Sequence, residues 1–120
     1  MITAANVKAA EGILRLEKSV RDTRGTYYTT ISTKVTTIKN ETIPMVGGYE
    51  LPIDIVDTMA RQRRGELEYQ LAKDIYAQPN GPKDFAEVMV AAKKEMKQLF
   101  DDVIKANPKL APLEKGSVRR

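Results

Sequence analysis

The sequence predicts a mainly α protein, with a three-helix body, a small antiparallel β ribbon between helix 1 and helix 2, and an extended C-terminal arm. Apolar residues recur at three- and four-residue spacing in three segments, which is the pattern of amphipathic helices. Between the first two segments, β-branched and aromatic residues alternate as they do in strands. Both patterns stop after Ile104. Because 120 residues make a single domain, we expect a folded body over residues 1–104 and an arm over residues 105–120.

The first helix is predicted over about residues 4–23. Thr3 is a suitable N-terminal cap, and Gly25 is a residue type at which helices commonly end. Charged residues lie mostly off the apolar stripe of this helix. The stripe consists of Ala9, Ile13, Leu16 and Val20.

The β ribbon is predicted over about residues 26–46. Residues 26–38 alternate as a strand, residues 39–41 favour a turn, and residues 42–46 form a second extended piece. Pro44 restricts pairing to an edge, and Gly47 with Gly48 ends the ribbon. A strand pair alone is marginally stable, so the ribbon must lie on the helices or on another subunit.

The second helix is predicted to begin near Pro52 and to run to about Gln78, followed by a Pro-Asn-Gly-Pro loop at 79–82. The third begins after a cap at Asp84, and its apolar stripe runs from Phe85 to Val103. We expect the three helices to share one core. Its predicted members are Ile13, Leu16, Val20, Val56, Leu67, Leu71, Ile75, Val88, Ala92, Met96 and Leu99.

Composition excludes several classes of chemistry. The chain has no cysteine and no histidine, which removes disulfides, thiol nucleophiles, the usual general base and the commonest zinc ligand. Carboxylates are plentiful, but no pair is set apart by its neighbours. Neither the P-loop nor the dinucleotide-binding glycine pattern occurs. We therefore expect no enzymatic activity, no catalytic residues, no cofactor and no metal.

Two further patterns bear on where the protein works. No apolar run approaches the roughly 18 residues that cross a bilayer. The N-terminus lacks the charged start and apolar centre of a signal peptide. We expect a protein with no membrane association that is made and used, or assembled, inside a cell.

The net charge of +4 lies in the arm, where residues 105–120 contain five basic side chains and one acid. The first 104 residues are formally neutral, with 15 basic and 15 acidic side chains. We expect the arm to leave the body and bind a neighbouring chain, with its leucines in apolar pockets; the alternative is a solubilising end without a partner. The predicted contact residues are Lys109, Leu110, Leu113, Lys115, Arg119 and Arg120.

The densest basic cluster of the body is formed by Arg61, Arg63 and Arg64. These positions span more than half the circumference of a helix, so they cannot all meet one partner surface. One interpretation is a solvated face with helical ion pairs such as Arg64–Glu68. The other is contact with a phosphate of DNA or with an acidic neighbouring subunit.

The order of these elements resembles one protein family. Ile13-Leu14-Arg15 leads to Arg24-Gly25-Thr26-Tyr27-Tyr28-Thr29, and Gly48-Tyr49-Glu50-Leu51-Pro52-Ile53-Asp54-Ile55 follows an extended stretch. Leu71-Ala72-Lys73-Asp74-Ile75-Tyr76 then precedes a loop and the alanine-containing helix from Phe85 to Phe100. Over roughly residues 7–104 this series is similar to the head-to-tail adaptor, or head-completion, proteins of short-tailed bacteriophages, which stabilise packaged DNA.

The resemblance implies a structural and non-enzymatic role in the virion, at the head–tail junction. Family adaptors form a homo-oligomeric ring, commonly a dodecamer, beneath the portal protein of a DNA-filled head, close its exit and provide the surface on which the tail or nozzle protein assembles. Packaged DNA would pass through such a ring, and the C-terminal arms reach along the portal. The alternative hypothesis is a small basic protein that binds DNA or RNA through the arginine cluster and the arm.

Overall fold

The structure is a computed structural model that describes the backbone of residues 3–30 and 42–111, and the side chains of residues 3–23 and 42–111. Within these residues the chain forms three helices and one two-stranded antiparallel sheet, which lies between the first and second helices in the sequence, so the predicted fold class is confirmed. The elements in chain order are α1 (Ala4–Thr30), β1 (Thr42–Pro44), β2 (Glu50–Pro52), α2 (Ile53–Tyr76), α3 (Phe85–Ala106) and a 3-10 turn (Pro108–Leu110).

Helix α1 is longer than predicted, because it continues through Gly25 to Thr30. The prediction that Gly25 ends the helix, and that residues 26–30 begin a strand, is wrong. A glycine inside a helix costs only about 1 kcal/mol. Extending an existing helix also gains one hydrogen bond per residue, which outweighs the strand preference of the following threonines and tyrosines. The rest of the predicted strand and turn, at residues 31–41, lies outside the described residues.

The β ribbon pairs different segments from those predicted. Thr42 faces Pro52, and Ile43 faces Leu51, so β1 pairs with β2 across a turn at Val46–Tyr49. Of the predicted partner segment, residues 26–30 belong to α1 and residues 31–38 lie outside the described residues. Gly47 and Gly48 have φ values of +102° and +85°, which only glycine adopts readily. The glycines therefore make the hairpin turn, whereas the prediction took them as the end of the ribbon.

Helix α2 lies at the centre of the body and contacts both α1 and α3. The predicted apolar face of α2 is confirmed, with Leu71 completely buried. The main core between the helices includes Ala10, Ile13, Leu14, Leu67, Leu71, Ile75, Val88, Ala92, Leu99, Phe100 and Val103. Of the other predicted core residues, Leu16 and Met96 are partly buried and pack against the buried clusters.

A second cluster joins the hairpin to the helices. Its buried members are Val20, Ile43, Ile53 and Val56, and Leu16, Met45 and Leu51 pack against them. Both strands and the first turn of α2 are therefore fixed to the end of the body that contains Val20. The described hairpin lies on the helices of its own chain. The sequence predicted either this position or packing on another subunit.

Helix α3 begins at the predicted cap, where the Asp84 carboxylate accepts a hydrogen bond from the Glu87 backbone N–H at 3.4 Å. Two predicted stripe residues are not in the core. Phe85 has 79% of its surface exposed, and Ala9 of α1 is also exposed. The buried stripe of α1 also includes Ala10 and Leu14, which directly follow the predicted positions Ala9 and Ile13.

The boundary predicted between body and arm is also wrong. Helix α3 runs to Ala106, and the 3-10 turn that follows places Leu110 in the main core, where only 3% of its surface is exposed. A single leucine was enough to extend the core, because Pro108 starts a tight turn that folds the chain back. Leu110 is therefore not free for a partner. Leu113, Lys115, Arg119 and Arg120 lie outside the described residues.

Candidate interaction surface

The three arginines of α2 separate in the structure. Arg61 pairs with Asp57 at 3.3 Å, one helical turn before it. Arg63 is exposed. Arg64 turns to α1, where its guanidinium donates two hydrogen bonds to Glu17, at 2.5 and 3.0 Å, and lies 4.4 Å from the centre of the Phe100 ring.

The predicted Arg64–Glu68 pair is wrong, because Glu68 accepts a hydrogen bond from Lys93 of α3 at 3.1 Å. The hydrogen bond with Glu17 raises the pKa of Arg64 above its usual value, against the opposing effect of partial burial. Arg64 therefore remains a cation that ties α1, α2 and α3 together. Two of the three guanidiniums in the cluster are occupied by carboxylates of the same chain, which weakens their predicted role in binding phosphate.

A groove lined by aromatic side chains lies at the C-terminal end of α2, away from the hairpin, and we call it the aromatic groove. It encloses about 410 Å³ between the last turns of α2 and the first turns of α3. Tyr69, Tyr76 and Phe85 line it and each has more than half of its surface exposed. The other lining residues are Ala72, Lys73, Lys83, Val88 and Met89.

Two lysines lie on the aromatic rings of the groove. The Lys73 Nζ atom is 5.5 Å from the centre of the Tyr69 ring, and Lys83 Nζ is 4.8 Å from that of Tyr76. Lys83 also donates hydrogen bonds to the backbone carbonyls of Tyr76 and, at 2.8 Å, Gln78. It thus satisfies the carbonyl of Tyr76, the last residue of α2. A cation at this helix end is also favoured by the helix dipole.

The loop between α2 and α3 fixes the shape of the groove. The Gly81 N–H donates to the Gln78 carbonyl at 3.1 Å. A Cβ atom on Gly81 would lie 3.0 Å from the Ile75 carbonyl oxygen and 3.2 Å from the Cβ of Gln78. The close return of the chain therefore favours glycine, and it places Lys83 and Phe85 beside Tyr76.

Sequence reasoning missed this groove, although its signal is present. Tyr69, Lys73 and Tyr76 are spaced by four and three residues, so they share one side of α2 that differs from its core stripe. Phe85 was assigned to the core by its position in the α3 pattern. In the first turn of α3 it instead lines the groove, with most of its surface exposed.

The described residues were also compared with the requirements of other sites. Among them, no group of three or more acidic side chains is arranged to hold a metal ion. No helix in the part of the chain that the structure describes is long and apolar enough to cross a membrane.

Comparison with known proteins gave no relative. No protein-family model matches the chain, and no curated protein and no solved structure matches it. A function for this chain must therefore be argued from its sequence pattern and from the surfaces described above.

Proposed function

We propose that this protein is a structural virion protein of the head-to-tail adaptor, or head-completion, type. In this role copies of the chain form a ring under the portal protein, help to retain packaged DNA and provide the surface to which the tail or nozzle protein attaches. The protein would work at the head–tail junction of the virion after assembly in the host cytoplasm, without a cofactor.

The observation that carries this proposal is the aromatic groove. Single exposed apolar residues are ordinary, but a cluster of aromatic side chains around a preformed groove is typical of surfaces that bind another protein. The exposed rings of Tyr69, Tyr76 and Phe85 meet this description. A protein that exposes such a groove fits a role in assembly.

The conformation of the resembling segments gives further support. Leu51 and Pro52 end strand β2, Ile53 begins α2 without a connecting residue, and Asp54 lies in its first turn. The short Leu-Pro-Ile-Asp segment therefore joins a strand to a helix, which is the place that such a segment has in the family it resembles.

The arm remains part of the proposal in a shortened form. Because Leu110 belongs to the core, only residues beyond Ala111 are available to reach along the portal. These nine residues carry Leu113, Lys115, Arg119 and Arg120, so the predicted apolar anchor is reduced to one leucine while three of the basic contacts remain. At about 3.3 Å per residue they reach roughly 30 Å.

The experiment is to mix the purified chain with the portal ring of the same phage and to measure the mass of the complex. We expect saturable binding with a fixed number of chains for each portal subunit. Phe85→Asp alters the groove at an exposed position, and Val90→Asp makes the same change on another face of α3 as the matched control.

The outcome that contradicts the proposal is a chain that ignores the portal ring and instead binds DNA or RNA with an affinity that falls steeply with salt. That result would favour the alternative hypothesis of a nucleic-acid-binding protein. Arg63→Ala and removal of residues 112–120 would then reduce the salt dependence, because both changes remove basic side chains.

A further inference from the structure

We infer that the aromatic groove of one copy receives the β-hairpin tip of a second copy, so that the chain associates head to tail. The hairpin tip is the turn formed by Val46, Gly47, Gly48 and Tyr49. This inference names the contact between subunits of the proposed ring, and it rests on the proposed function only to the extent that a ring needs such a contact.

The hairpin tip presents an apolar side chain to solvent. Val46 has 96% of its surface exposed, and Tyr49 beside it is 53% exposed. Val46 is the most exposed of the large apolar residues that the structure describes. A β-branched side chain at the end of a turn makes no contribution to its own core, so its burial would gain free energy only through a contact outside the subunit.

The tip has a fixed shape. The Met45 N–H donates to the Tyr49 carbonyl at 2.8 Å, and the Gly48 N–H donates to the Met45 carbonyl at 3.2 Å. Below the turn, Met45 and Leu51 pack against the cluster that contains Val20 and Ile43. A tip that is already ordered loses little conformational entropy on binding, which favours insertion into a groove.

The charges of the two surfaces are complementary. From Thr42 to Ala60 the chain contains three acids, Glu50, Asp54 and Asp57, and no lysine or arginine. Glu50, the acid nearest the tip, is exposed and accepts a hydrogen bond from the Thr42 hydroxyl. At the groove, Lys73 and Lys83 make no ion pair with a carboxylate that the structure describes.

The two surfaces lie too far apart to meet within one subunit. The hairpin leads directly into the first residue of α2, whereas the groove begins at Tyr69. The sixteen residue-to-residue steps from Ile53 to Tyr69 span about 24 Å of helix. Different and complementary patches at the two ends of an element give a heterologous contact, which produces a closed ring or an open filament rather than a symmetric dimer.

The basic arm is a poorer occupant of the groove. Residues 112–120 carry three basic side chains and one acid, so they would bring positive charge to Lys73 and Lys83. The described chain also reaches Ala111 beside Arg21, whose Nη2 atom donates to the Ala111 carbonyl at 3.5 Å. Since α1 runs antiparallel to α2, with Asn6 near Asp74 and Glu17 near Arg64, that position is at the hairpin end of the body.

The test measures self-association of the full chain by sedimentation and native mass spectrometry. We expect the wild type to form species larger than a monomer, and Val46→Asp and Phe85→Asp each to weaken association by roughly tenfold or more, as expected for a central contact residue. Val90→Asp is the matched control and should associate as the wild type does. Circular dichroism and thermal unfolding confirm that each variant remains folded.

A mixing experiment distinguishes the heterologous contact from any symmetric one. Val46→Asp keeps an intact groove, and Phe85→Asp keeps an intact hairpin. A mixture of the two should therefore form a one-to-one complex and nothing larger. In the same way, Glu50→Lys and Lys73→Glu should each weaken association and the double variant should recover it, whereas Lys94→Glu, outside the groove, should not.

The inference is overturned if the wild type stays monomeric up to a concentration of about 1 mM. It is also overturned if both aspartate variants associate normally or if the mixture forms no complex. Portal binding by a chain that fails these tests would overturn the hairpin contact and leave the proposed function standing. Head-to-tail association without portal binding would overturn the proposed function and leave the hairpin contact standing.

Discussion

Leu71 shows how strongly single side chains hold this body together. It is completely buried between the three helices. Leu71→Ala is expected to lower the free energy of unfolding by about 2–5 kcal/mol, because it removes buried methyl groups and leaves a cavity. Urea unfolding measures this change. Val90→Ala, at an exposed position, should change the free energy by less than about 0.5 kcal/mol, and an equal effect of both substitutions would contradict the described core.

Arg64 connects three helices through one guanidinium. A double-mutant cycle with Arg64→Met and Glu17→Gln is expected to give a coupling free energy of about 0.5–1.5 kcal/mol, reduced by salt because the pair is partly exposed. Arg64→Lys should lose most of this coupling, since lysine cannot donate the paired hydrogen bonds to Glu17. A coupling free energy indistinguishable from zero at low salt would show that the pair does not form in solution.

The sequence predicts the burial of Leu71 but not the ion-pair partner of Arg64. Leu71 belongs to a repeated apolar spacing, which can be recognised without knowing the fold. The partner of Arg64 lies 47 residues away on another helix, whereas spacing rules identify only neighbours on the same helix. The sequence therefore indicated Glu68, and the fold places Glu68 beside Lys93 instead.

At the scale of elements, α2 and α3 were predictable because apolar periodicity, Pro52, the 79–82 loop and the Asp84 cap all indicate the same boundaries. The end of α1 was not predictable, because the sequence signals around it conflict. Gly25 and the following β-branched residues favour a stop, whereas the preceding helix favours continuation. The aromatic groove depends on where α2 ends relative to Phe85, which is a tertiary relation that periodicity does not contain.

The continuation of α1 through Gly25 predicts the sign of a change in stability. Gly25→Ala is expected to raise the free energy of unfolding by up to about 1 kcal/mol, because alanine is the better helix former. If Gly25 instead ended the helix with a positive φ angle, the same change would destabilise the protein. The sign of the shift in thermal unfolding therefore decides between a helix that stops at Gly25 and one that passes through it.

The C-terminal turn gives a second prediction for an element. Truncation after Ala111 is expected to leave the stability of the body almost unchanged. Truncation after Ala106 removes Leu110 from the core and should cost roughly 2–4 kcal/mol. Equal stability of the two truncated chains would mean that Leu110 is not part of the folded body and would restore the arm boundary at residue 104.

At the scale of the whole molecule, the body carries the hairpin, with the exposed Glu50 next to its tip, at one end and the aromatic groove, with Lys73 and Lys83, at the other. The basic segment beyond Ala111 follows the core at the hairpin end. Under the proposed function, these surfaces would provide a contact between copies and a separate segment for another partner. A ring that is built by the body and attached through the arms would use both, which is why assembly rather than catalysis is the central claim.

The measurement that tests this claim most directly is the mass of the complex formed with the portal ring, recorded by native mass spectrometry for the wild type, for Phe85→Asp and for the chain truncated after Ala111. We predict a defined ring of wild-type chains on the portal, an incomplete ring with Phe85→Asp, and weakened attachment of the truncated chain. A wild-type chain that remains monomeric and unbound in the presence of the portal ring would contradict the account.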